Sequence, residues 1–322
     1  MLVFGQRSTF MAALCVGMVG LGALTGCSDR MSFAGAAVTS DSTAPAAPTS
    51  QAEPTRTDEQ QTGNGVEADI VYREVAGDQV RLDVCRSADR AELRPAVLLI
   101  HGGAFAAGDK DTQQWRETCI WLAEAGYVAI NLNYRLAPEH IFPAAIEDIQ
   151  AAVLWTRDNA ATYGIDPQRV GVLGGSAGAN LAQLLGTSGS GPTDQGARVS
   201  AVVSLSGAAD LTERGLALGE PLDVQIDRVL DYLGCSEIND CPAAAAASPI
   251  THVDTSDPAF LLVQSEQESL PVEQTSAMAA ALAAGGGNAE VLIQPGQAHA
   301  TRLLDEETVR AAVLDFLART LR

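Results

Sequence analysis

A serine flanked by glycines, in the segment Gly174-Gly175-Ser176-Ala177-Gly178, is the feature of this chain best suited to covalent chemistry. A β-rich apolar run precedes it and a helical run follows it, so the segment is expected to turn sharply from a strand into a helix. Small neighbours let chain and helix approach closely, and the turn exposes the hydroxyl at the helix N-terminus. This G-x-S-x-G pattern is typical of a serine nucleophile, and Ser176 is the predicted one.

A second glycine-rich segment, His101-Gly102-Gly103-Ala104-Phe105, directly follows the apolar run 96–100. Acyl transfer needs N–H donors aimed at the oxygen that becomes negative, and a glycine-rich loop leaving a strand can supply them. The alternative is that this glycine-rich turn serves only close packing. The G-x-S-x-G turn further along the chain, the nucleophile elbow, argues against that alternative. The predicted oxyanion hole comprises the N–H groups of Gly102, Gly103, Ala104 and Ala177.

The general base must be one of four histidines, His101, His140, His252 and His299. In α/β hydrolases, the fold of this elbow, the chain order is serine, acid, histidine, so the base follows Ser176. His299 comes after an apolar run and a Pro-Gly turn, where a strand-end loop would place a base. His252 precedes the strand expected to deliver the acid, and we interpret it as structural.

Residues 69–320 resemble the hormone-sensitive-lipase-like carboxylesterases and the related feruloyl and acetylxylan esterase group of α/β hydrolases. The resemblance implies a serine esterase that needs no cofactor and acts on a small-molecule or glycan-linked ester. The family's oxyanion loop usually reads HGGG, but Ala104 retains its backbone N–H. The matching segments are HGGAF at 101–105, NYRLAPEH at 133–140, FPAAIEDIQAAVLW at 142–155, GIDPQRVGVLGGSAGAN at 164–180 and PGQAHA at 295–300.

The acid is harder to assign, because the family's loop reads like H-G-x-x-D-x-x-V-P and this chain has QSEQESLP at 264–271. That loop is one residue shorter and contains no aspartate. Counting forward from the strand selects Glu268, whereas counting back from Pro271 selects Gln267. We predict Glu268, with Glu266 second; the alternative is that both glutamates are solvated loop charges.

Several other polar or aromatic residues are interpreted as structural. An apolar stripe at helical spacing indicates core. No Cys/His cluster has metal-ligand spacing, so no metal site is predicted. The residues assigned to the framework are Tyr134, Arg135 and Asp148 in the family-like segments, and Trp115, Cys119 and Leu122 in the stripe.

Short β-branched runs alternate with helical stretches after residue 68, which indicates an α/β-hydrolase fold with a mostly parallel central sheet flanked by helices. An insertion at about 207–257 is expected above the sheet. Predicted strands are 69–75, 80–85, 95–101, 127–134, 169–174, 199–205, 259–264 and 289–294. Predicted helices are 112–125, 143–163, 177–185, 272–284 and about 302–321.

The N-terminus predicts export. An apolar run over 10–24 is short for a membrane span and ends in Leu24-Thr25-Gly26-Cys27, which resembles the bacterial lipobox. Residues 1–26 are therefore expected to be a lipoprotein signal peptide, and Cys27 the lipidated residue that anchors the protein on the extracytoplasmic side of a membrane; an ordinary secretory signal is the alternative. Residues 27–67 are predicted to be a disordered linker and 68–322 the catalytic domain.

The net charge limits the possible binding partners, and the cysteine content indicates the pairing of disulfides. The formal net charge is −20, which makes nucleic acid an improbable partner. Four cysteines remain beyond Cys27, and an oxidising compartment favours two disulfides. The short spacing of Cys235 and Cys241 favours a local pair, which leaves Cys85 with Cys119.

Two other functions are alternatives to an esterase. One is an amidase or peptidase with the same triad, and the other is a catalytically impaired homologue that binds a ligand.

Overall fold

The computed structural model describes residues 65–88, 92–219 and 223–322. The predicted signal peptide, the lipidation site Cys27 and almost all of the predicted linker lie outside these residues. Eight strands form one sheet. They are β1 (Gly65–Val75), β2 (Asp78–Arg86), β3 (Arg94–Ile100), β4 (Val128–Leu132), β5 (Ile165–Gly175), β6 (Ala201–Leu205), β7 (Ala259–Ser265) and β8 (Ala289–Gln294).

The sheet has the strand order β1-β2-β4-β3-β5-β6-β7-β8. The first two strands pair antiparallel with their neighbours, and all strands from β4 through β8 in this order pair parallel. Every residue of β4 and of β6 is buried, as expected for strands covered on both faces. The predicted mostly parallel α/β-hydrolase sheet is confirmed.

Helices cover both faces of the sheet. They are α1 (Gln113–Glu124), α2 (Ala144–Asp158), α3 (Ala160–Tyr163), α4 (Ala177–Thr187), α5 (Glu213–Leu216), α6 (Asp223–Leu233), α7 (Pro242–Ala246), α8 (Val272–Ala284) and α9 (Glu307–Thr320). Helices α1 and α9 pack on one face through residues such as Trp115 and Phe316, and α2, α4 and α8 pack on the other through residues such as Ile149 and Met278.

Several boundaries differ from the sequence prediction. Strand β1 begins at Gly65, inside the predicted linker, because Gly65 to Glu67 continue the pairing with β2. The predicted helix 143–163 is divided between α2 and α3 at Asn159. The closing helix starts at Glu307, and a 3₁₀ segment, Ala300–Asp305, occupies the residues before it.

The structure contains both expected disulfides. Cys85 on β2 is bonded to Cys119 on α1, and Cys235 is bonded to Cys241 within the predicted insertion. The stripe Trp115, Cys119 and Leu122 is buried, as its spacing predicted. In the part of the chain that the structure describes, no helix combines the length and apolar character needed to cross a membrane.

Candidate active site

Ser176 occupies the turn between β5 and α4. Its φ of 56° and ψ of −121° lie outside the regions that L-residues favour. Its N–H donates to the Leu205 carbonyl oxygen at 2.9 Å, which fixes this conformation. The residues around it from Val170 through Thr187 are buried, whereas Ser176 is half-buried. The elbow therefore presents a single hydroxyl to solvent.

Glycine is required where the elbow meets its neighbours. A Cβ atom on Gly102 would lie 2.8 Å from the Gly175 carbonyl oxygen and 3.1 Å from Ser176 Cβ. A Cβ atom on Gly174 would lie 2.1 Å from the Gly178 carbonyl oxygen. The close approach at Gly102 places the loop after β3 directly against the serine, and the approach at Gly174 packs the end of β5 against the start of α4.

The loop after β3 turns through three consecutive left-handed residues. The φ angles are 128° at Gly103, 52° at Ala104 and 61° at Phe105. The Gly103 carbonyl oxygen accepts bonds from the N–H groups of Ala106 (3.1 Å) and Ala107 (3.0 Å), which close the turn. Ala104, where the resembled family usually has glycine, is thus a non-glycine residue in a conformation that glycine adopts more easily.

His101 holds the beginning of this loop. Burial lowers the pKa of its imidazole, so the ring is neutral at ordinary pH. Its Nδ1 lies 2.8 Å from the Gly102 carbonyl oxygen, which can only accept, so Nδ1 carries the proton. The ring stacks on Tyr134 at 4.4 Å, and the Tyr134 hydroxyl donates to the His101 carbonyl oxygen at 2.9 Å. Tyr134 therefore has the framework role that the sequence suggested, and it holds His101 in place.

Glu268 and His299 make a side-chain contact between the loops that follow β7 and β8. Glu268 Oε2 contacts His299 Nδ1. The Glu268 side chain is completely buried, and the His299 side chain is 36% exposed. The other carboxylate oxygen, Oε1, accepts from the Ser265 N–H at 3.0 Å and the Ser206 hydroxyl at 2.8 Å. The carboxylate is therefore held by three donors.

The other candidate acids lie elsewhere. Glu266 and Gln267 are exposed, and their backbone N–H groups donate to the carbonyl oxygens of Gln294 and Gly296. The shortened loop thus places its third residue after β7, Glu268, towards the histidine. Asp254 bonds the Ser256 hydroxyl and N–H within its own turn.

The loop that carries His299 is fixed on both sides of the histidine. The Ser265 hydroxyl donates to the Ala298 carbonyl oxygen at 2.6 Å, and the Ala300 N–H donates to Ser206 Oγ at 3.0 Å. Sequence reasoning did not single out Ser206 or Ser265. A serine just beyond a buried strand has no pattern that separates it from an ordinary turn residue.

Ser176 and His299 line two adjoining cavities. The larger, about 390 Å³, is open and includes Trp115, Asp109, Thr112 and Thr301 in its wall. The smaller, about 140 Å³, has an apolar wall formed by Phe105, Ala208, Leu211, Val229 and Leu270. Val229 belongs to α6, so the predicted insertion contributes to the smaller cavity. No hydrogen bond joins Ser176 to His299 among the described residues, as is common before substrate brings such groups together.

The remaining polar residues singled out from the sequence belong to the framework. Arg135 Nε donates to Asp148 Oδ2 at 2.9 Å, and the Asp148 side chain is fully buried. His252 Nε2 lies 2.9 Å from the Ala246 carbonyl oxygen, and no hydrogen bond within the described part of the chain joins His252 to Ser176. Within the described ranges, no group of three or more His, Cys, Asp or Glu side chains is placed to hold a metal ion.

Lys110 forms a charged cluster that sequence reasoning did not anticipate. Its ammonium contacts Asp69 at 2.9 Å, Asp83 at 2.8 Å and Asp111 at 3.0 Å. Lys110 is 1% exposed, and Asn131 donates to its carbonyl oxygen at 2.8 Å. The cluster fixes the segment between the glycine loop and α1 to the antiparallel edge of the sheet.

Comparison with known proteins assigns the chain to a group of esterases. The BD-FAE family model matches residues 82–282. Esterase LipQ of Mycobacterium tuberculosis is 33% identical over 265 residues, which cover 78% of this chain and 61% of that protein. The probable carboxylic ester hydrolase LipM of the same organism is 30% identical over 217 residues, which cover 65% of this chain and 49% of LipM. The chain thus spans roughly half to three fifths of the length of these relatives.

A solved structure has the same fold. A truncated carbohydrate esterase from gut microbiota superposes with a TM-score of 0.70 at 23% identity, covering 80% of this chain and 97% of that one. The prediction of an ester hydrolase agrees with the names of all three proteins.

Proposed function

The chain belongs to the BD-FAE family, and from that premise we propose that it hydrolyses carboxylic esters through an acyl-enzyme on Ser176. The observation that carries the proposal is the contact of the buried Glu268 carboxylate with His299. His299 in turn lines the same two cavities as Ser176. A nucleophile, a base and an orienting carboxylate are the three groups that acyl transfer requires.

In the proposed mechanism, His299 Nε2 removes the proton from Ser176 Oγ as the oxygen attacks the ester carbonyl carbon. Backbone N–H groups of Gly102, Gly103, Ala104 and Ala177 stabilise the oxyanion of the tetrahedral intermediate. The imidazolium then donates its proton to the departing alcohol. Water, activated by the same histidine, attacks the acyl carbon and releases the acid and free Ser176.

The role of Glu268 follows from charge. A carboxylate at Nδ1 keeps the neutral imidazole in the tautomer whose Nε2 accepts a proton, and it stabilises the imidazolium that forms afterwards. The three donors around Glu268 prevent rotation of its carboxylate.

The sizes of the two cavities support a substrate with a small group on one side of the scissile bond and a larger group on the other. A short acyl ester of a polyol or glycan has this form, and a carbohydrate esterase is among the proteins with this fold. We therefore include small-molecule and glycan-linked esters in the proposed substrate class.

The decisive experiment compares short p-nitrophenyl esters with the matching p-nitroanilides, using the purified full chain and its Ser176→Ala variant. Ester turnover that disappears in the variant is the expected result. Amide turnover as fast as ester turnover would reassign the enzyme as an amidase or peptidase. No turnover of either, together with no fluorophosphonate labelling, would indicate a ligand-binding homologue without catalysis.

We also propose that the enzyme is exported and held at the extracytoplasmic face of a membrane by a lipid on Cys27. The support is the lipobox-like Leu24-Thr25-Gly26-Cys27 after an apolar run. Cys27→Ala should release the protein from membranes without changing its specific activity. Membrane retention of that variant in high salt would contradict the proposal.

A further inference from the structure

Ser206, the residue that follows β6, is buried and has an unfavourable backbone conformation. It has no exposed surface, and its φ is 60°. Its N–H donates to the Val263 carbonyl oxygen at 2.8 Å, which anchors the residue between β6 and β7. A left-handed conformation in a non-glycine residue is held only where the surrounding structure enforces it, and such residues concentrate at functional sites.

The Ser206 hydroxyl joins the two loops that bring Glu268 and His299 together. It donates to Glu268 Oε1 at 2.8 Å and accepts from the Ala300 N–H at 3.0 Å. Ala300 is the residue directly after His299. One buried hydroxyl therefore fixes both the orientation of the carboxylate and the backbone beside the imidazole.

We propose that Ser206 is a positioning residue for the ester hydrolysis proposed above. By holding Oε1, it leaves Oε2 directed at His299 Nδ1. By binding the Ala300 N–H, it fixes the distance between the histidine loop and the acid loop. Ser206 lies in the wall of the smaller cavity but has no exposed surface, so it acts through Glu268 and His299.

Ser204 offers a matched control. It is two residues earlier on the same chain segment, equally buried, and its hydroxyl accepts from Gln183 Nε2 at 2.8 Å instead of contacting Glu268. Ser204→Ala and Ser206→Ala each remove one buried hydroxyl. A difference between their effects on catalysis therefore reports the contact with Glu268.

The first test measures kcat and KM on one p-nitrophenyl ester. Ser206→Ala should lower kcat about 10- to 100-fold, the effect of one hydrogen bond to a charged group, with KM within about twofold. Ser206→Gly should lose as much activity although it relieves the left-handed strain. Ser204→Ala should keep wild-type kcat. Equal kcat in Ser206→Ala and wild type would overturn the proposal.

The second test is a double-mutant cycle with Glu268→Gln. If Ser206 acts through the carboxylate, Ser206→Ala should lower kcat by less than about threefold when Glu268 is already replaced by Gln. If Ser206→Ala lowered kcat in the Glu268→Gln variant as much as it does in the wild type, its effect would be independent of Glu268. That result would contradict the proposal.

A readout without turnover separates this inference from the proposed function. The His299 Nδ1 proton against a carboxylate should give a downfield proton resonance that is absent in His299→Ala. That resonance should shift or broaden in Ser206→Ala and remain unchanged in Ser204→Ala. An unchanged resonance in Ser206→Ala would overturn the inference whether or not the protein hydrolyses esters.

Discussion

The Oε2 atom of Glu268 contacts the Nδ1 atom of His299, and the glutamate side chain has no exposed surface. A buried carboxylate without hydrogen-bond donors is costly, and the two further donors from Ser265 and Ser206 offset that cost. The contact leaves Nε2 of the imidazole for chemistry in the cavities that Ser176 lines.

Removing the charge of Glu268 while keeping its shape should therefore impair catalysis. We expect Glu268→Gln to lower kcat by about 10³- to 10⁴-fold, because the imidazolium loses its anionic partner and the productive tautomer is no longer favoured. Glu266→Gln, on the same loop but exposed, should stay within about twofold. The measurement is ester turnover of both variants at one pH; equal losses would mean that the carboxylate of Glu268 has no special role.

Much of the fold was predictable, because β-branched runs and glycine-bounded turns are local properties of the sequence. The strands β7 and β8 were placed to within one residue, and the elbow at Ser176 follows from its flanking strand and helix. Glu268 was predicted by counting from the end of β7. The structure places Glu268 against His299, and the loop is pinned at its start by the hydrogen bond from the Glu266 N–H to the Gln294 carbonyl oxygen.

Contacts between distant segments could not be read from the sequence. Ser206 meets Glu268 across 62 residues and Ala300 across 94 residues, and an isolated serine carries no periodic pattern. The same limit applies to Lys110 with Asp69, which are 41 residues apart. The left-handed conformation of Ala104 is also invisible locally, since alanine rarely adopts it.

Ala104→Gly should stabilise the protein or leave its stability unchanged. The left-handed conformation costs alanine about 1–2 kcal/mol, which offsets the greater unfolded-state entropy of glycine. Activity should stay within about threefold because the backbone N–H remains. Ala106→Gly, in the same turn but without positive φ, should lower the free energy of unfolding by about 0.4–1 kcal/mol. Thermal unfolding of both variants checks this, and a larger loss in Ala104→Gly would contradict it.

Lys110→Met should destabilise the fold by about 3–5 kcal/mol, the usual cost of leaving a buried charge without its partner. Lys110 and the side chain of Asp83 are 1% and 5% exposed, so Asp83 would be left unpaired away from water. Arg116→Gln, which removes an exposed cation that contacts the same cluster through Asp111, should leave stability nearly unchanged, because solvent screens an exposed ion pair. Urea unfolding distinguishes the two; similar losses would refute the importance of burial here.

The stability difference between wild type and Lys110→Met should depend on pH. Burial lowers the pKa of Lys110, but its hydrogen bonds to Asp83, Asp69 and Asp111 raise that pKa by a larger amount. The pKa in the folded state therefore lies above the ordinary 10.5. The contribution of Lys110 to the free energy of unfolding is then complete below pH 10.5 and is lost as pH rises through the pKa of the folded state. Burial raises the pKa of Asp111, while Arg116 and Lys110 lower it more, so its contribution is lost as pH falls below 3.8. Unfolding at pH 7 and pH 11 should show the difference shrinking at pH 11.

The two disulfides should differ in what their removal changes. Replacing Cys235 and Cys241 by serine opens a short loop, worth roughly 2 kcal/mol in a chain-entropy model. That loop follows α6, whose Tyr232 stacks at 3.9 Å on Phe105 in the wall of the smaller cavity, so KM should rise. Replacing Cys85 and Cys119 should cost more, roughly 3.5–4 kcal/mol, with KM unchanged. Steady-state kinetics and thermal unfolding of both double variants test this; an unchanged KM in the first would contradict it.

The central claim is that Ser176 is an activated nucleophile. Intact-mass measurement and peptide mapping after reaction of the full chain with a fluorophosphonate test it most directly. We predict one adduct per chain, located on Ser176, formed at a rate that parallels the loss of ester hydrolysis, and absent in Ser176→Ala and His299→Ala. An adduct on another residue, or continued ester hydrolysis by a chain fully modified at Ser176, would contradict the claim.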